Sequence, residues 1–267
     1  MIPQRPRNAG TQMQPGFFDL ENRHEQLEKL GDPLPKLSEL VNWEGFRPLL
    51  ERIRQKERKS AAGRKPFDVV LMFKILFLQS FYGLGDDQTE YQIRDRYSFC
   101  RFLGLTPEGK VPDAKTIWLF REALKEADLI DGLFAELDGQ IWAAGYRSRK
   151  GQIIDASLIA APRQRNSREE NAKIKQGETP EDWKENLAKL RQKDVEARWT
   201  QKNGENHYGY KNHISIDNQH KLIRHFEVTS ASVHDSQVFD CLIDEENTSR
   251  SVWADSAYRS RSTEAWL

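Results

Sequence analysis

At Gly145 the spacing of apolar residues changes from a helical period to a strand-like one, and that switch divides the chain. Before it, Leu37, Leu40, Val41, Trp43, Phe46, Leu49, Leu50 and Ile53 recur at three and four residues, which predicts a helix over 37–55. Residues 67–82 are apolar nearly all round, as the central helix of a bundle would be. Asp86 stands where a cap would open the next helix, with Tyr91, Ile93, Tyr97 and Phe99 as its apolar positions. Asp113 is a second N-cap, for a helix with Ile117, Trp118, Phe120 and Leu124 inward and Lys115 and Arg121 outward. After Gly145, residues 151–159 form a compact apolar run, 207–217 alternate strictly, and 222–229 follow across a turn at Asp217-Asn218. Residues 232–244 predict a helix with Val238, Cys241 and Leu242 inward, and 251–255 a short last strand. The chain therefore reads as α+β, with an all-helical domain over 36–145 and a sheet domain over 146–267. Residues 1–35, with five prolines and little periodicity, read as a flexible arm. The charged stretch 162–206 interrupts the sheet domain, and a helix over 180–199 is expected inside it, with Trp183, Leu187, Leu190 and Val195 on one face.

Composition narrows the function. Apolar residues make up 37% of the 267, and 13 Phe, 7 Trp and 7 Tyr suffice for a core, so the chain is not disordered throughout. Lys plus Arg (41) equal Asp plus Glu (41), so any nucleic-acid surface has to come from segregated charge. The basic run 52–65 is either such a contact or a solvated hinge, and the short helices before Gly145 either a helix-turn-helix reader or a packing unit. Cys100 and Cys241 lack a partner spacing, which argues against a disulfide framework and fits a reducing, cytoplasmic setting. The start has no apolar signal core, and the most apolar stretch, 69–82, is shorter than the roughly 20 residues of a bilayer span, so no membrane association is expected.

Two carboxylates interrupt strands: Asp155 within Ile153-Ile154-Asp155-Ala156-Ser157-Leu158, and Asp255 at the end of Val252-Trp253-Ala254-Asp255. A charge in a buried strand is costly unless it is paired or binds a cation. Two acids side by side would repel, and a divalent ion would relieve the repulsion; oxygen-only ligands favour Mg²⁺ or Mn²⁺ over zinc. Two such ions about 3.5–4 Å apart promote phosphodiester cleavage. The plainer alternative is that each Asp ends a strand or makes a turn. His207, His213, His220, His225 and His234 show no zinc-ligand spacing, Ser157 and Ser256 no nucleophile elbow, and Gly83 and Gly85 no phosphate loop.

Several ordered blocks then resemble one family. Arg64-Lys65-Pro66-Phe67 to Phe81-Tyr82-Gly83-Leu84, Arg94-Asp95-Arg96-Tyr97-Ser98-Phe99, Arg101-Phe102-Leu103-Gly104-Leu105 and Pro112-Asp113 to Phe120-Arg121 are similar to the N-terminal domain of bacterial insertion-sequence transposases of the IS-five family. Ile154-Asp155-Ala156-Ser157-Leu158-Ile159, His207-Tyr208-Gly209-Tyr210-Lys211-Asn212-His213, Val228-Thr229-Ser230-Ala231-Ser232-Val233-His234-Asp235-Ser236 and Ala254-Asp255-Ser256-Ala257-Tyr258 continue the likeness in order. The resemblance implies a DNA-binding role for the helical domain and a mixed-sheet, RNase H-like catalytic domain of DDE type. Asp155 and Asp255 would be its first and second metal-binding acids, with Mg²⁺ or Mn²⁺ as cofactor. It further implies double-stranded DNA partners, namely the element's terminal inverted repeats and a target, cut and joined by a homodimer. Lys211 and Arg259 would lie near the DNA backbone, or are simply surface cations; Asp217 and Asp235 are explained by a hairpin turn and a helix cap. The family's third acid is a Glu farther downstream in a Tyr…Arg…Glu…Lys signature. Tyr258, Arg259 and Glu264 occur here, but Glu264 follows Asp255 by too few residues to leave room for the intervening strand. The expectation is a catalytic domain incomplete at its C-terminus, from a truncated, shifted or split reading frame, with reduced strand-transfer activity. A non-catalytic DNA-binding fragment or regulator, and a structure-specific nuclease on the same fold, are the competing expectations.

Overall fold

The computed structural model describes residues 16, 18–54, 65–164, 166–190, 192–202 and 204–259. The basic run at 55–64, residues 1–15 of the expected arm, and Glu264 with the helix start at Ser262 lie outside the described residues. The chain divides into two compact units, Met1–Ala143 and Ala144–Leu267.

The first unit is helical: α1 (Asp19–Lys29), α2 (Leu34–Leu40), α3 (Arg47–Leu50), α4 (Val69–Tyr82), α5 (Asp86–Asp95), α6 (Tyr97–Leu103), α7 (Ala114–Glu126) and α8 (Ile130–Ala143). Helix α4 is its centre. Asp68 caps it, accepting from the Val70 and Leu71 amides at 2.9 and 3.1 Å, and Gly83 ends it in the left-handed conformation. Its one charged residue, Lys74, is accommodated by a hydrogen bond to the Phe102 carbonyl (3.1 Å) and by the rings of Trp43 and Phe102. Burial pushes the Lys74 ammonium below its ordinary pKa. Around α4 pack Trp43, Phe46, Leu50, Ile93, Phe99, Ile117 and Leu124.

The helical unit departs from expectation at several places; the helix expected from Asp86 through Phe99 is two, α5 and α6, and Tyr91 is exposed. Part of the expected arm is helical, since α1 falls within 1–35, although none of its residues is buried. The helix expected over 37–55 is broken into α2, a 3₁₀ turn at Trp43–Phe46, α3 and a second 3₁₀ turn at Glu51–Arg54. Asn42 causes the break: its side chain accepts from the Gly45 amide and starts a new turn, while Trp43, Phe46 and Leu50 still reach the core. Gly85, not Asp86, occupies the cap of α5; Asp86 is its first residue and pairs elsewhere. Trp118 is 44% exposed, because Ile117, Phe120 and Leu124 already fill the buried stripe of α7. Asp113 caps α7 as expected, accepting from the Thr116 amide at 2.7 Å.

The second unit is a five-stranded mixed sheet, so the chain is α+β. Its strands are β1 (Gln152–Ala160), β2 (Arg198–Lys202), β3 (Glu205–Asp217), β4 (Ile223–Ser230) and β5 (Val252–Ala254). Strand β3 is long enough to pair antiparallel with β1 and, along its length, with both β2 and β4; β1 pairs in parallel with β5 on its other side. Alternation along β1 sends Ile154 and Ala156 towards Val238, Phe239, Leu242 and Tyr258, and leaves Asp155, Ser157 and Ile159 exposed. The expected helix over 232–244 is only a 3₁₀ turn, Asp235–Gln237, and a one-turn helix further on. His234 caps the 3₁₀ turn, and the Asp235 carboxylate is drawn to Lys211 instead of capping a helix.

The insertion is also built differently from its expectation. It holds α9 (Arg168–Lys175), α10 (Glu181–Glu185) and α11 (Leu187–Leu190), and then β2, so it adds a strand to the sheet. The turn of helix after it, α12 (Phe239–Leu242), covers the sheet's buried face. Trp183 is fully buried and donates from Nε1 to Glu170 (2.8 Å), whose carboxyl falls to about 2 because the Ser167 amide, Trp183 and Lys189 all donate to it. Asp194 takes the Tyr210 hydroxyl and the Glu196 and Ala197 amides, which turns the chain into β2 and makes Trp199 a cross-strand partner of Tyr208.

Gly209 explains the glycine of His207-Tyr208-Gly209-Tyr210. It lies where β3 pairs with both β1 and β2, at φ +150°, and a Cβ there would run into the Ile159 carbonyl and the Ala161 amide. Gly209→Ala is expected to cost about 3 kcal/mol, since backbone and not a flexible side chain must move. Urea unfolding of the two proteins measures it.

Candidate active site

Asp155 and Asp255 are a hundred residues apart in sequence and consecutive in register. The β1–β5 ladder ends with Ile153 paired to Trp253 and Ile154 to Ala254, and each Asp is the next residue of its chain. Adjacent strands lie about 4.8 Å apart, so the two backbones are neighbours. Neither acid is buried. Desolvation therefore singles out neither of them, because Asp155 belongs to the face opposite the Ile154 core and Asp255 begins a turn at the strand end. Proximity does. Asp155 Oδ1 accepts from the Ala156 amide (2.7 Å) and Asp255 Oδ1 from the Ala257 amide (2.8 Å). Oδ2 of each accepts no protein hydrogen bond among the described residues.

A cleft of about 260 Å³ opens beside Asp255, walled by Ala156, Leu158, Lys202, Lys211, Asp235 and Asp255 among others. Asp155 is not one of its lining residues. Lys211 donates to Asp235 Oδ1 and to the Val233 carbonyl, both at 2.7 Å, and the two side chains are only 15% and 14% exposed. Behind the cleft lies an arrangement that sequence reasoning did not find. Tyr258, three residues after Asp255, is buried with its hydroxyl 2.9 Å from His213 Nδ1, and His213 Nε2 is 3.1 Å from Thr229 Oγ1. Burial, then Asp235, Asp155 and Asp255, push the Tyr258 phenol well above its usual range. Burial likewise lowers the His213 imidazole, with Asp235 opposing and Lys211 assisting. The only sequence signal for this pair is the alternation that turns His213 to the same face as Ala156.

The other predicted residues separate into two kinds. Arg121, expected outside, is committed to Asp86 at 2.9 Å and to Gln79, so its charge is met within the helical unit. Lys211 is likewise held by Asp235. Lys115, on α7, and Arg259, after the turn at Ser256–Tyr258, are exposed. Among the described residues no group of three His, Cys, Asp or Glu side chains is placed to hold a metal ion, and no single helix is long and apolar enough to cross a membrane.

A mixed sheet in which Asp155 and Asp255 each follow the last pair of one parallel ladder makes that sheet end the candidate site. The family comparisons supply its class. Residues 21–123 match the model of a transposase domain (DUF772), and residues 146–267 match that of the Transposase DDE domain. Together the two matches support a DDE transposase, and domains of that kind generally use divalent metal ions. No solved structure matches the chain.

The Lys211–Asp235 pair is testable by a double-mutant cycle. Lys211→Met and Asp235→Asn are each expected to destabilise by about 2 kcal/mol or more, by stranding the other charge, and the double variant to recover about 1–2 kcal/mol of the sum. Equilibrium unfolding of the four proteins reads the coupling. His213 gives a pH test. Its folded pKa lies below the ordinary 6.5, so the unfolded chain takes up the proton first, and stability is lost as pH falls below 6.5. The fall in urea midpoint between pH 7 and pH 5 is expected to be smaller in His213→Asn.

Proposed function

We propose that the chain is a DNA transposase that binds the terminal inverted repeats of an insertion element and cuts and joins DNA with a divalent metal ion. The observation that carries the reading is the placement of Asp155, within β1, and Asp255, just after β5, each one residue beyond the last pair of the parallel ladder. The mixed sheet and the Transposase DDE match are consistent with an RNase H-like catalytic domain.

The donor set suits Mg²⁺ or Mn²⁺: two carboxylates, each oriented by a backbone amide at Oδ1, with no competing hydrogen bond to Oδ2 among the described residues. Mg²⁺ is commonly held by one or two carboxylates, with phosphate oxygens and water completing the shell. Asp155 and Asp255 would hold it, and the bound ion supplies activation of a water or 3′-hydroxyl and neutralisation of the leaving oxygen. The acids themselves form no covalent bond to DNA. Lys211 keeps Asp235 neutralised, so that Asp155 and Asp255 are the acids available to the substrate. Lys115 and Arg259 are proposed as contacts to the DNA backbone, which position a duplex without reading its sequence. Assembly as a homodimer on paired ends, with a target duplex as second substrate, completes this reading.

A DNA-binding protein without catalysis is the second reading, favoured by the absence, among the described residues, of any group of three His, Cys, Asp or Glu side chains placed to hold a metal ion. A duplex carrying one inverted repeat, incubated with the chain and Mg²⁺, separates the two. Cleavage at the element end is expected, lowered about a thousandfold in Asp155→Asn and Asp255→Asn with duplex binding kept. Binding without cleavage by the unaltered chain establishes the second reading, and cleavage indifferent to the end sequence points to a nuclease.

A further inference from the structure

The chain of buried hydrogen bonds behind Asp255 has no part in the chemistry above. Strand β5 has only three residues and, among the described residues, pairs on one side only, so the ladder alone does little to hold the turn beyond it. Asp255 opens a 3₁₀ turn at Ser256–Tyr258: its carbonyl accepts from the Tyr258 amide at 3.2 Å and its carboxylate from Ala257. The turn is anchored from its far end. Tyr258 is 2% exposed, with its ring against Phe239 and the Ile154 cluster. The Tyr258 hydroxyl meets His213 Nδ1 and the imidazole's Nε2 meets Thr229 Oγ1, the tautomer setting which atom of each pair donates. One line of contacts thus joins the turn after β5 to β3 and on to β4. Phenylalanine would fill the same volume, and burying a hydroxyl and an imidazole carries a desolvation cost that only a formed hydrogen bond offsets. Relative to a purely apolar contact, the bond adds direction: it fixes the rotation of the turn.

We infer that Tyr258 and His213 are positioning residues for Asp255, their hydrogen bond setting where that carboxylate stands beside Asp155. The inference rests on the reading of Asp155 and Asp255 as the metal-holding pair. Neither residue touches the reacting atoms; partners of this kind typically alter metal affinity 10–100-fold when removed.

The test is Mn²⁺ binding to the full chain, followed by the electron paramagnetic resonance of free Mn²⁺, with circular dichroism to establish folding. Tyr258→Phe, which removes only the hydroxyl, is expected to weaken Mn²⁺ binding about tenfold. His213→Leu should do the same, whereas His213→Asn, whose Oδ1 can accept in place of Nδ1, should restore most of the affinity. Should Tyr258→Phe not fold, the two His213 variants carry the comparison. Unchanged Mn²⁺ affinity in folded Tyr258→Phe or His213→Leu, alongside its loss in Asp255→Asn, overturns the inference and leaves the metal reading standing. Unchanged affinity in Asp255→Asn overturns the metal reading, and the inference with it.

Discussion

Parallel pairing between β1 and β5 is the constraint on which the site depends. It brings together two acids separated by a hundred residues, and closing so long a segment is entropically unfavourable unless many contacts share the cost. Those contacts gather at the strand starts. Gln152 donates its amide to the Ser251 carbonyl, and Asn247 brackets Gly151, accepting from its amide and donating to its carbonyl. Gly151 adopts φ +89°, and a side chain there would collide with Ser251 and Trp253. The register that aligns Asp155 with Asp255 is therefore set at the opposite end of the strands from the acids themselves.

The buried face of the sheet is unusually polar for a core, and the polar groups are connected. Gln152 Oε1 accepts from Ser215 and from the Asp244 amide, Ser148 donates to Asp244, and Arg224 lies 3.5 Å from the same carboxylate with both side chains almost fully enclosed. Asp217 closes the β3–β4 turn by accepting from His220 and Leu222. Further along, His213 and Tyr258 continue the pattern towards Asp255. Connected buried polar groups are costly to rearrange, because each one displaced leaves another unpaired. A sheet held this way offers few alternative registers. That suits a site whose two acids come from different strands, where a one-residue slip would turn one of them to the other face.

The elements with strong periodicity were legible: α4 from its apolar run, α7 from Asp113 and its three buried positions, and the β3–β4 hairpin from alternation around Asp217. Misreadings arose where a local side-chain bond competes with periodicity. Asn42 breaks an otherwise regular helical pattern, Asp194 turns the insertion into β2 instead of a longer helix, and Asp235 is taken by Lys211 instead of capping. Trp118 misled for a related reason: an aromatic residue near an apolar stripe is not necessarily in it. The pairings of Arg121 and Lys211 were not legible, because their acidic partners lie 35 and 24 residues away in sequence.

Asp155 and Asp255 stood out in the sequence because carboxylates at the heart and end of apolar strands are rare, and rarity is a local property. Which strand lies beside which is not local. The parallel register that precedes the two acids, and the burial of His213 against Tyr258, both arise from long-range pairing. The sequence by itself determined the α+β division, through two incompatible periods, and that two carboxylates fall within or just after apolar strands. Only the tertiary structure decided that they follow paired residues of one parallel ladder and that Tyr258 meets His213, because those contacts join residues whose separation in sequence carries no periodic signal.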